Sequence, residues 1–126
     1  MPVLVQFGVI ELAVAVLSGW LMIATVEMPD TLRKRGITHL HRIRQAHLDL
    51  LFMGVILVAV GAAVRDMPPW IVALIVAGAY GQPLTFLPLA FRASIQQAPA
   101  YRVLEAALFS ATSVGWVAVG VVVLTR

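Results

Sequence analysis

Residues 39–64 read HLHRIRQAHLDLLFMGVILVAVGAAV. The opening turns are polar and basic. From Leu48 onward the stretch carries a single charged residue, Asp49. About 20 mostly apolar residues are what one crossing of the hydrocarbon core requires. A helix apolar on every face is buried in protein or in lipid, not laid on a soluble surface. Three more stretches have the same character: residues 3–26, interrupted by Glu11, residues 70–91, and residues 101–124. The expected fold is an all-α integral membrane protein, with residues 1–126 forming one domain. Its four transmembrane helices are joined by short connections, which makes neighbours antiparallel and the bundle up-and-down.

Composition supports that reading. Of 126 residues, 61% are hydrophobic and 12% charged, against about 45–50% and about 25% in soluble domains. So few charges could not cover that much apolar surface in water. Disorder is excluded on the same ground. There is no cysteine, which removes disulfides, thiolate metal sites and cysteine nucleophiles. The first stretch lacks a basic leader and is too long for the core of a signal peptide, so it is read as a span.

The breaks have local causes. Pro29 disfavours helix in the residue before it. Thr38 is positioned as an N-cap for the second span. Asp66-Met67-Pro68-Pro69 and Gln96-Gln97-Ala98-Pro99 separate the later spans. The loops and helix ends on one side carry Arg33, Lys34, Arg35, Arg42, Arg44, Arg92 and Arg102. The other side carries Arg65 and Arg126. Seven basic residues against two place the basic side in the cytoplasm and both termini outside it. The positive charge thus belongs to membrane orientation, with a bacterial inner membrane as the expected location and no nucleic acid as partner.

Ionisable residues inside spans default to functional candidates. Here they are Glu11, His47, Asp49 and Glu105. His47 lies about 10 Å in from the basic end of its span. Ser18, Gln82 and Ser110 fall at comparable depth on the other three spans, defining a polar layer roughly 10–14 Å deep. Gly54 and Gly61 follow His47 at seven and fourteen residues, nearly on one helix face. An imidazole beside two residues without side chains suits a planar cofactor such as heme, with His47 as axial ligand. The same glycines suit close helix packing. Asp49 points about 200° away from His47, as a supporting group or as an ion-pair partner of Arg42 or Arg44. Glu105 follows Arg102 by three residues, a spacing that forms surface pairs. Glu11 has no basic neighbour in sequence and needs a partner: a proton, a cation, or a donor on the next helix. In the third span, Tyr80-Gly81-Gln82-Pro83 and Pro88 place two helix-breaking prolines beside an aromatic and an amide. That combination suits the wall of a pocket.

Ala46-His47-Leu48-Asp49, then Gly54, then the aromatic–amide stretch of the third span, resembles the styrene oxide isomerase family and the hydroxylaminobenzene mutases of similar size. The resemblance covers residues 41–86. It implies a four-helix membrane protein assembling as a homotrimer. It further implies heme b held through a histidine of the second helix, with iron acting as a Lewis acid in the rearrangement of a small apolar substrate such as an epoxide. By position, His47 corresponds to the axial iron ligand, Gly54 to a cofactor-side glycine, and Gln82 to a pocket asparagine; Tyr80 and Gln82 are then the candidate catalytic residues. Two positions depart from the family: Met53 replaces an asparagine and Phe86 a tyrosine. Two other readings start from the same sequence. Glu11 in the first span is also the pattern of small multidrug-type, proton-coupled transporters. The third is a non-catalytic subunit of a larger membrane complex.

Overall fold

A computed structural model describes residues 1–126. The chain forms α1 (Val3–Glu27), α2 (Pro29–Lys34), α3 (Leu40–Ala63), α4 (Pro69–Phe91), a 3-10 turn (Ala93–Gln97) and α5 (Pro99–Thr125), with no strand. Helices α1, α3, α4 and α5 are each long and apolar enough to cross a membrane. The expected all-α, four-span architecture is therefore present, and the observed span ends lie within two residues of the expected ones. Proline sets three of the helix starts, opening α2, α4 and α5, where its missing N–H has no partner to lose.

The four long helices pack in chain order. α1 lies on α3, α3 on α4, and α4 on α5. α1 also touches α4, whereas α5 has no substantial contact with α1 or α3. The bundle is thus an open row with α1 and α5 at its edges. Trp20 on α1 is 72% exposed and Val117 on α5 is 68% exposed, a lipid-facing apolar surface.

Two glycine seams hold the row. Along α1 and α3, a Cβ on Gly8 would lie 2.9 Å from the Gly54 carbonyl, and one on Gly54 would lie 3.2 Å from the Gly8 carbonyl. A Cβ on Gly61 would meet the Val5 backbone nitrogen at 2.8 Å. Along α4 and α5, a Cβ on Gly78 would collide with Thr112 Oγ1, and one on Gly115 would sit 2.6 Å from Ile75. Small residues let backbones approach in a medium that offers no hydrophobic drive between helices. A core of Leu4, Leu57, Ile71, Ile75, Ala79 and Val119 fills the half of the bundle away from the basic end.

The basic end is tied together by backbone. Thr38 and His39 both donate their N–H to the Ala90 carbonyl at 2.9 Å, satisfying an orphan carbonyl at the end of α4. Gly36, at φ +94°, makes the left-handed turn that brings residues 37–39 there. Thr38 therefore does not cap α3 as expected. Its hydroxyl bonds the His39 ring and the Phe91 carbonyl, and α3 begins without a side-chain cap. At the opposite end, the Arg126 guanidinium donates to the carbonyls of Arg65 and Asp66, closing the α3–α4 turn.

Candidate functional site

The α1–α3 seam sets the register of the site. It pairs Leu4 with Gly61, Leu12 with Gly54, and Gly19 with His47. His47 is half-buried, and its Cε1 would lie 3.7 Å from a Cβ placed on Gly19. Its Nδ1 is 2.7 Å from Ser18 Oγ. Ser18 has one hydroxyl proton, and it donates that proton to the Ala15 carbonyl at 2.6 Å. With its proton there, the hydroxyl is an acceptor toward the ring, and the tautomer that matches it carries the hydrogen on Nδ1. In that tautomer Nε2 keeps its lone pair, and it has no partner in the chain.

This is the arrangement an imidazole needs in order to ligate a metal: one nitrogen anchored by its N–H, the other free. No group of three His, Asp or Glu side chains is gathered anywhere. A single imidazole fits a metal whose other positions come from a macrocycle better than a bare ion.

The structure decides between the two expectations for the glycine face. Gly54 and Gly61 lie on the His47 side of α3, and α1 fills that face through Leu12, Gly8, Leu4 and Val5. It is a packing seam, with no bed for a planar group between the two helices. A heme on His47 would therefore not lie along Gly54.

The polar layer is only partly assembled. His47 and Ser18 meet. Ser110 is on the exposed face of α5. Gln82 is half-buried and its side chain forms no hydrogen bond, while its carbonyl accepts from Thr85 Oγ1 at 2.6 Å. Pro83 and Pro88 lie inside an unbroken α4. Near this stretch Tyr101 donates its hydroxyl to the Thr85 carbonyl at 2.9 Å, fastening α5 to α4. Tyr80 reaches across to α1, where its hydroxyl donates to the Phe7 carbonyl and its ring meets Phe7 edge-on at 6.1 Å. With that proton committed, Tyr80 has only acceptor capacity left for a substrate.

Glu11 is 0% exposed, and neither carboxyl oxygen has a hydrogen-bond partner. Asp49, half-buried on α3, lies within its electrostatic reach. The expected pairs of Asp49 with Arg42 or Arg44, and of Glu105 with Arg102, do not form. The one salt bridge in the molecule joins Arg33 and Asp30 at 3.3 Å. Sequence reasoning passed over the amides at the basic end. Arg42 donates to Gln45 Oε1 at 3.0 Å and to Gln96 Oε1 at 3.4 Å. The signal available was the spacing: Gln45 is one helical turn from Arg42, whereas Asp49, the only acid on α3, is two turns away.

No family model, curated protein or solved structure matches the chain.

Proposed function

We propose that this membrane protein binds heme b through His47 and rearranges a small apolar substrate, such as an epoxide, that arrives from the lipid. The observation that carries the reading is the anchoring of His47, its Nδ1 2.7 Å from Ser18 Oγ and its Nε2 without a partner in the chain. The resemblance of residues 41–86 to the styrene oxide isomerase family supports it. Bound there, the iron supplies a Lewis acid that polarises a substrate oxygen without net redox chemistry. Ser18 holds the imidazole in orientation. Gln82, with an uncommitted amide on α4, is the group available to orient a substrate, and Tyr80 offers an acceptor farther along the same helix. The reading includes a homotrimer in a bacterial inner membrane with both termini outside the cytoplasm.

The visible spectrum of protein purified in mild detergent tests it. A Soret band at about 400–420 nm is expected of a histidine-ligated heme. His47→Ala removes the band, while His39→Ala and His41→Ala retain it. Wild-type protein that stays colourless after heme is added overturns the reading. A second reading, a small proton-coupled transporter, is favoured by one observation, the buried and unpartnered Glu11. Proton uptake by reconstituted vesicles that depends on Glu11, in protein without a Soret band, would select it.

A further inference from the structure

The basic end of the bundle holds a set of hydrogen-bond donors that nothing in the chain neutralises. Arg42, half-buried at the start of α3, is steered toward the 3-10 turn by the Oε1 atoms of Gln45 and Gln96. Both acceptors are neutral. Their own amide nitrogens, turned away from Arg42 by that geometry, have no partner in the chain. Arg92 immediately precedes the turn that carries Gln96, and Arg102 lies in the first turn of α5 just beyond it. Both are exposed, and neither is in an ion pair, because the only salt bridge is Arg33–Asp30. The bonds from Thr38 and His39 to the end of α4 fix these pieces relative to one another. The result is three guanidiniums and two amide nitrogens at one end of a membrane bundle, none of them in an ion pair with a carboxylate.

A guanidinium presents a planar fork of donors that matches a tetrahedral oxyanion, and the amides add neutral donors beside it. A group of unpaired donors of this kind suits an anion with several acceptor oxygens. Basic pockets between transmembrane helices at the membrane surface bind anionic headgroups. We propose that Arg42, with Gln45, Gln96, Arg92 and Arg102, seats the phosphodiester headgroup of an anionic phospholipid of the bilayer in which the protein sits. The seat lies at the helix ends, beyond the level of His47, and it stands whether or not the heme reading holds.

The test is reconstitution of the full chain into bilayers of equimolar phosphatidylglycerol and phosphatidylcholine, extraction in mild detergent, and analysis of retained lipid by native mass spectrometry. Wild-type protein should retain phosphatidylglycerol over phosphatidylcholine by about fivefold or more, the ratio one basic side chain contributes at a membrane surface. Arg42→Gln should lower the ratio by about fivefold, the share of one basic side chain. Gln96→Glu should do the same while keeping every arginine, because it gives Arg42 an internal carboxylate. Circular dichroism on both variants reports whether the helices persist. Equal retention of the two lipids by wild-type protein overturns the proposal, as does undiminished enrichment in two folded variants. Displacement of the lipid by inorganic phosphate at matched phosphorus concentration would make this a soluble-anion site and overturns the lipid assignment. An oligonucleotide that displaces the lipid overturns it likewise.

Discussion

Ser18 and His47 are 29 residues apart in the chain and 2.7 Å apart in the fold, and the same serine hydroxyl lies 2.6 Å from the Ala15 carbonyl, which can only accept its proton. A hydroxyl that acts only as acceptor sets the ring tautomer without competing for the second ring nitrogen. Ser18→Ala should leave the protein folded and able to take up heme, with affinity lower by about 10- to 100-fold, the usual loss when an outer partner of a ligating histidine is removed. Ser18→Thr keeps the hydroxyl and should restore most of it. Heme titration followed at the Soret band measures both. Equal affinity in Ser18→Ala and wild type would separate this hydrogen bond from ligation.

The α1–α3 seam should reject bulk whatever the cofactor. Gly61→Leu places its side chain against the Val5 backbone, which cannot rotate aside as a side-chain tip can. Overpacking of this kind costs about 1–3 kcal/mol. Gly120→Leu, where a Cβ would meet nothing within 4 Å, serves as the control and should be silent. Thermal unfolding in detergent compares the two.

Gly78 and Thr112 form a pair whose coupling is measurable. Gly78→Ala drives a methyl into Thr112 Oγ1 and should destabilise by about 1–3 kcal/mol. Thr112→Ala removes that oxygen and should recover most of the loss in the double variant. A double-mutant cycle reports the coupling directly. Additive effects would mean that α4 and α5 are farther apart than the seam requires.

Glu11 contributes nothing to packing that an apolar side chain could not. A buried polar group without partners costs about 1–3 kcal/mol. Glu11→Met should therefore raise the unfolding temperature, and heme binding at His47 should be unchanged. Destabilisation by Glu11→Met would show that the carboxyl holds a partner supplied from outside the chain.

The proposed orientation rests on seven basic residues against two. An alkaline phosphatase fused after Arg126 should be active, and a fluorescent protein that matures only in the cytoplasm should be dark there. The reverse pattern would put the basic end, and His47 with it, on the outer side.

Hydropathy made the four spans legible, because lipid imposes one requirement on every residue of a crossing. Prolines made their starts legible. Depth along each helix correctly drew Ser18 and His47 to one level, yet the same arithmetic included Ser110, which faces outward. Depth says nothing about which helix is a neighbour, and in an open row α5 makes no substantial contact with α3. Thr38 has the residue type of a cap and serves instead at the end of α4, because Gly36 turns the chain back toward Ala90. Short elements such as α2 and the 3-10 turn have no periodicity long enough to read. The tautomer of His47 depends on a contact with Ala15 and Ser18 that spacing within α3 cannot contain.

The chain-order packing of the helices also bears on how the protein is made. Domains form from the N-terminus as synthesis proceeds. Here each newly inserted long helix finds its main partner already in the membrane: α3 finds α1, α4 finds α3, and α5 finds α4. Once α1 is in place, no later long helix must wait for a main partner not yet translated. By the time α3 leaves the insertion machinery, the Gly8–Gly54 contact and the Ser18–His47 bond have all their atoms present, so the candidate site belongs to the first half of the chain to be completed.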